Sequence, residues 1–267
     1  GLDGAITGSA SWGAGQIGNA LGFDGASTYV FVEDYDKASA AISVSTWVNL
    51  NVSAYEGDIF IRNGQGPFSR ASSGNQPEVG QFEFGIIEDP DSFEIRLGAT
   101  IQVGPNLPTV LAPTLFDAGS WQHVAFSADG AQLRLYLNGE EVGATDYVGS
   151  INPPDIPHLT FGATLNIDTF DPDNPGPLEP DITNPFYLDG QLDEVALWTR
   201  SISADEVAKI YAAGMAGEAI TTVTVDVPEP PAAGEPGTLN VSISNGEVSI
   251  TWDNGTLQSA DSVTGPF

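Results

Sequence analysis

Short runs rich in β-branched and aromatic residues recur along most of this chain, each set off by turn residues: TYVFVE (28–33), AISVSTWVNL (41–50), GDIFIR (57–62), QFEFGII (81–87), SFEIRLGATIQV (92–103), WQHVAFSA (121–128), QLRLYLNGEEVGA (132–144) and HLTFGAT (158–164). Runs of strand length at this spacing, with turn signals between them, predict an antiparallel sandwich. Asn-Gly pairs at 63, 138, 245 and 254 supply the positive φ angles that tight hairpin turns require. The clearest hairpin is LRLYL-NG-EEVGA, in which Leu133, Leu135 and Leu137 share one face and Arg134 and Tyr136 the other. At 267 residues the chain can bury a sizeable core as one large all-β domain followed by a tail.

A single helix is predicted after residue 200. Ser203 reads as its N-cap and Glu206 as the capping-box partner, while Val207, Ile210 and Tyr211 make an apolar stripe and Gly214 stands where a left-handed cap belongs. AITTVTVDV (219–227) then alternates like a strand, and PEPPAAGEPG (228–237) is a Pro- and Gly-rich spacer. The last thirty residues read as two or three strands, too small a sheet to be stable by itself. The expected organisation is therefore a sandwich over 1–215, a strand and linker over 216–237, and a small β module over 238–267, incomplete or completed by a neighbour.

Seven Lys plus Arg against 36 Asp plus Glu give a formal charge of -29. Such a chain repels phosphate backbones and anionic lipid surfaces, so nucleic acid and membrane surfaces are poor partners for it and neither nucleic-acid binding nor membrane insertion is expected. With no cysteine there is no disulfide or thiol chemistry. No apolar run approaches the roughly 20 residues of a membrane span. A chain that opens on Gly1 without a leader-like run reads as a processed or excised piece.

The strand QLDEVALW (191–198) poses the sharpest local problem. Asp193, Val195 and Leu197 alternate with Leu192, Glu194, Ala196 and Trp198, so both faces carry apolar groups and whichever faces the core takes an acid with it. A buried carboxylate without a partner costs several kcal/mol. Seven basic residues cannot serve 36 acids, which leaves calcium, with its appetite for several oxygens, or backbone amides as the remedy. Glu194 is expected to meet Arg200, Arg134 or His123. A second acidic run, NIDTFDPDNPGPLEPD (166–181), is a poor match to a D-x-D-x-D-G loop because Pro175 stands at the third ligand position. It is also the longest connection within the sandwich, and so a candidate ligand rim: Asp168, Phe170, Asp171 and Asp173, with Tyr187 nearby.

Taken in order, GNALGFDGASTYVFV (18–32), ISVSTWVNL (42–50), WQHVAFSADGAQLRLYLNGEEVG (121–143) and LDGQLDEVALWTRSISADEVAKIYAAG (188–214) resemble the laminin-G-like, concanavalin A-like jelly-roll domains of bacterial extracellular proteins, over roughly 8–214. The resemblance implies a two-sheet jelly roll, secreted or at the cell surface, that binds a glycan or another protein and often carries a structural calcium ion. Within it the Asp of the LDEV motif pairs in space with the FDG turn. Carried onto this chain, that gives Asp24 and Asp193 as calcium ligands, with Asp189 and the carbonyl of Gly25 as neighbours.

Catalysis has little support in the residues. Laminarinase-type hydrolases that share this fold carry an E-x-D-x-x-E strand, whereas QLDEVAL has Gln191 in the first position and lacks the third acid. His123 and His158 have no nucleophile motif beside them. Glycans stack on exposed aromatics, and Trp12, Tyr35, Tyr55, Phe68, Phe170 and Tyr187 fall in or near loops, whereas Trp47, Trp121 and Trp198 occupy strands. The leading reading is a non-catalytic, calcium-stabilised adhesion module for a glycan or protein. The alternatives are a fibre or surface-layer subunit that adds its terminal strands to copies of itself, and a polysaccharide-degrading enzyme.

Overall fold

The structure, a computed structural model, describes residues 3–51, 59–63, 80–88, 95–114, 116–152, 158–166, 173, 178–181, 185–223, 239–244 and 247–252. It divides into two units, Gly1–Val223 and Thr224–Phe267. In the first unit two seven-stranded antiparallel sheets face each other. One runs in the order β1 (Gly4–Thr7), β4 (Tyr29–Val32), β13 (Leu159–Phe161), β6 (Ile59–Asn63), β7 (Phe82–Glu88), β8 (Ile95–Ile101), β9 (Thr109–Leu111). The other runs β12 (Glu140–Asp146), β11 (Gln132–Leu137), β10 (Gln122–Ala128), β5 (Ile42–Leu50), β14 (Asp189–Trp198), β3 (Asn19–Asp24), β2 (Ser11–Ala14). The architecture is the antiparallel sandwich that the spacing of apolar runs predicts, in the two-sheet jelly-roll form that the resemblance implies.

Strand periodicity places the core. Ile42, Val44, Val48 and Leu50 of β5 and Leu133 and Leu135 of β11 join the inner cluster. There Phe126 packs edge-on to Phe84 at 5.3 Å and tilted to Phe82 at 5.4 Å between ring centres. The β11–β12 hairpin turns at Asn138 and Gly139, with φ of 52° and 84°. This is the paired left-handed conformation that Asn-Gly favours and that matches strand twist.

The face of β5 turned away from the core is also buried. His123 of β10 lies opposite Trp47 of β5 in register, and α1 (Ala204–Met215) covers them: the Trp47 and Tyr211 rings stack at 5.6 Å. Both halves of the capping box at Ser203 and Glu206 are present. The C-terminal end differs from expectation. Gly214 lies inside the helix, where its lack of a side chain admits the Trp47 indole, and Gly217 takes the left-handed position with φ 75°. The Glu218 amide reaches the Ala213 carbonyl at 2.9 Å and the Gly217 amide that of Gly214 at 3.1 Å, the two bonds of a Schellman ending.

Residues 219–223 are not part of a strand. Ile220–Thr222 form a single 3-10 turn, Ile220 and Val223 pack with the helix against Ala125 and Tyr136, and 224–227 lie outside the described residues. Alternation alone could not separate a strand from a turn held by tertiary contacts. In the second unit β15 (Leu239–Ser244) and β16 (Glu247–Trp252) form a hairpin with Leu239 opposite Trp252 and Val241 opposite Ile250.

On the outer side of the first sheet a transverse row runs Thr160, Arg62, Glu83, Thr100, Thr109 across five strands in register. Arg62 and Glu83, 1% and 3% exposed, form an ion pair at 2.7 Å.

Candidate functional site

The acids of β14 separate once the strand is folded. Asp189 lies opposite Asp24 of β3, and the Gly25 amide donates to the Leu188 carbonyl at 2.9 Å, so Asp24, Gly25 and Asp189 meet at one corner. Asp24 already accepts from the Ala26 amide at 3.1 Å, the Ser27 and Thr28 amides at 2.8 Å each and the Ser27 hydroxyl at 2.6 Å. Desolvation pushes its carboxyl up, but the Ser27 hydroxyl and these amides together hold it well below the usual range. Asp189 takes the Asn51 side-chain amide.

Asp193 does not join them. It lies four residues along the strand, about 13 Å from Asp189, and opposite Trp47. Its buried carboxylate accepts the Ile17 amide at 2.8 Å and the Glu194 amide at 2.9 Å. A side chain at Gly15 would collide with it, so Asp193 fastens the Gly15–Gly18 turn to the sheet. The register slips between Asp193 and Ala196, with Glu194 at φ 49°. This bulge resolves the puzzle of acids on both faces by turning Glu194 out of the alternation. Glu194 accepts the Ile220 amide at 2.6 Å and makes none of the salt bridges expected of it. Arg200 pairs with Glu206 at 2.7 Å, Arg134 with Asp129, and His123 meets the Ser45 hydroxyl at 2.8 Å.

Calcium takes six to eight oxygens. No group of three or more His, Asp or Glu placed to hold a metal occurs among the described residues, and the four expected ligands do not converge as one site. What remains together is the pair Asp24 and Asp189 beside the Gly25 backbone. Of the second acidic run, Asp168, Phe170 and Asp171 lie outside the described residues, and Asp173 is exposed in a turn. Tyr187 packs against Tyr29, Phe31 and Leu178 on the outer side of the first sheet, and burial raises its phenol.

His123 is fully buried, with Nδ1 lacking a hydrogen-bond partner; desolvation pushes it down to about 4. The neutral ring is therefore the form that folding favours. Its contribution to stability is complete above the unfolded value of 6.5 and is lost as pH falls from there towards 4. Melting temperature should drop over this interval more steeply in the wild type than in His123→Gln; equal slopes would remove His123 as the cause.

The clearest open feature lies at the side of the sandwich where β1 and β2 are the edges. The opposite edges are protected: β9 has three residues and β12 carries Glu140, Glu141 and Asp146. GAIT and SWGA carry no charge and no proline, the usual guards of an edge. Between them opens a cleft of about 700 Å³, floored by Phe23, Val30, Ile61, Leu159 and Leu192. Ile6 and Trp12 at its mouth are 45% and 67% exposed. Sequence reading had placed Trp12 among exposed aromatics, but the cleft arises where two sheets part, which no local pattern encodes. Tyr35, grouped there with the loop aromatics, is 4% exposed and in the core, its hydroxyl donating to Gln81 at 2.9 Å.

Residues 24–208 match the family model of the concanavalin A-like lectin/glucanases superfamily, laminin-G type, and the chain belongs to that family. Among solved structures it is similar to domain 4 of an extracellular GH43 arabinanase from Geobacillus stearothermophilus in complex with arabinotriose. That match has 17% identity and a TM-score of 0.54, and covers 77% of this chain and 86% of that one. It is similar also to the binding domain of botulinum neurotoxin DC in complex with SialylT, with 14% identity and a TM-score of 0.52 over 80% of this chain and 47% of that one. A heptameric SAP-like pentraxin from Limulus polyphemus gives 14% identity and a TM-score of 0.50 over 72% of this chain and 81% of that one. At such identities the likeness is one of fold. No curated protein sequence matches the chain. No described helix is long and apolar enough to cross a membrane.

Proposed function

We propose that this chain is a non-catalytic glycan-binding module of an extracellular protein, with the cleft between β1 and β2 as its sugar site. The exposed Trp12 indole at the mouth of an open apolar cleft carries the reading, because sugar rings present C–H faces that stack on aromatic rings. The family, and neighbours of the same fold in complex with arabinotriose and SialylT, support it. A binding role without catalysis is supported by two of the three acids of the cleft wall, Asp193 and Glu194, whose carboxylates are engaged by backbone amides. The fibre reading depends on residues beyond 223, where the described strands β15 and β16 pair with each other.

A narrower calcium reading goes with it. The ion would rest on Asp24, Asp189 and the Gly25 carbonyl, since two carboxylates face each other there in register, and like charges directly opposite destabilise a sheet. Asp193 is not part of that seat.

One experiment examines both. On a glycan array run with calcium and with a chelator, the wild type should bind at least one neutral glycan, and Trp12→Ala should weaken that binding at least about tenfold, the worth of a 1.4 kcal/mol contact. A blank array, or undiminished binding by Trp12→Ala, would overturn the sugar-site reading. Chelation should lower the melting temperature of the wild type but not of Asp189→Asn; a wild type indifferent to chelation ends the calcium reading.

A further inference from the structure

We infer that the cleft is built for neutral, acylated sugars and rejects acidic glycans, a selectivity that rests on the glycan-binding reading above and adds the chemical class of its ligand. Two independent features of the lining carry it.

The first is charge. No Lys, Arg or His is among the described lining residues, whereas the exposed Asp36 is, together with the stretch of β14 that carries Asp193 and Glu194, whose carboxylates are held by the Ile17, Glu194 and Ile220 amides. The Lys and Arg residues adjacent in sequence to the lining are each engaged at 2.7 Å: Lys37 with Asp34, Arg62 with Glu83 and Arg200 with Glu206. Beyond the wall the whole chain carries 36 acids against seven bases. A uronate or sulfated chain would bring like charge to an acidic wall with no guanidinium or ammonium to receive it, and charge complementarity of this kind decides which partners are refused.

The second is the depth of the cleft. Below Trp12 the walls are aliphatic and aromatic: Leu21, Phe23, Val30, Ile61, Leu159 and Leu192. An unsubstituted pyranose turns hydroxyls in every direction and would leave some of them desolvated against such walls. A sugar bearing an N-acetyl group can stack its ring on Trp12 and direct the acyl methyl down the cleft, away from water. Ile6, half-exposed at the rim, would meet that methyl first.

The test compares N-acetylated chitotetraose, cellotetraose and tetragalacturonate by calorimetric titration at low salt. Chitotetraose should bind about threefold or more tighter than cellotetraose, the order expected for burying one methyl-sized group per occupied subsite. Tetragalacturonate should bind at least about tenfold weaker than cellotetraose, with that gap narrowing as salt screens the wall. Asp36→Asn changes the net charge of the chain hardly at all but should narrow the galacturonate gap, and Ile6→Ser should remove the preference for the acylated chain. Galacturonate bound as tightly as cellotetraose overturns the charge selectivity. Equal affinity for the two neutral chains overturns the acyl preference. A galacturonate gap that Asp36→Asn leaves unmoved assigns the repulsion to the whole chain and overturns the role of the wall. Failure of all three sugars to bind would instead overturn the glycan reading itself.

Discussion

Glu83→Ala should lower the stability of the sandwich by about 3–5 kcal/mol, as expected when one partner of a buried ion pair is removed. Arg62 would keep its other contacts, the Thr164 hydroxyl among them, but lose the carboxylate 2.7 Å away, and at 1% exposure water cannot replace it. Against a total of about 5–15 kcal/mol for a domain, that loss leaves little reserve. Urea denaturation should show the midpoint falling by a large fraction of its wild-type value, with the slope little changed. The double variant Arg62→Met with Glu83→Leu should recover most of the loss, since an apolar pair of similar volume avoids the desolvation of both ions. A deficit below about 1 kcal/mol for Glu83→Ala would show that the pair contributes no more than a surface ion pair does.

Gly214→Ala should destabilise the domain, contrary to what helix propensity alone predicts. In a solvent-facing helix the change gains up to about 1 kcal/mol. Here a Cβ would stand 2.5 Å from Nε1 and 2.6 Å from Cζ2 of Trp47, and the indole cannot retreat because it stacks on Tyr211 and packs against His123 at 5.3 Å. Overpacking of this kind costs about 1–3 kcal/mol. Thermal unfolding followed by tryptophan fluorescence should show a lower midpoint and an altered native signal; a raised midpoint would mean that the helix docks less closely than the Trp47 contact requires.

Much of this fold was legible because strands declare themselves locally. The β11–β12 hairpin needed only Asn138–Gly139 and three leucines, and the helix start only Ser203 and Glu206. Elements fixed by distant partners were harder to read. Gly214 was placed at the helix end because nothing nearby in sequence reveals that Trp47, 167 positions earlier, fills its space. Glu194 was matched to basic side chains because a bulge with φ 49° is not written in QLDEVALW, and the amide of Ile220 is not recognisable there as a partner. The family resemblance paired Asp24 with Asp193 and gave Asp189 and Gly25 as neighbours, whereas Asp189 is the residue that lies opposite Asp24. The separation of Asp193 from that corner follows from strand geometry alone, four residues at about 3.3 Å each. The cleft could not be read, since β1 and β2, close in sequence, part into different sheets over a floor drawn from distant positions: Phe23, Ile61, Leu159 and Leu192.

The turn that Asp193 fastens bears on where this domain can be cut. The family-matching span begins at Asp24, after both strands whose edges frame the cleft and after the Gly15–Gly18 turn. A protein trimmed to 24–208 would lose β1, β2 and nearly all of β3, leave the Asp193 carboxylate without the Ile17 amide, expose the edges of β4 and β14, and remove the Schellman ending of α1. The span that matches the family is thus smaller than the compact unit Gly1–Val223, and residues on both sides of it, Trp12 among them, complete that unit.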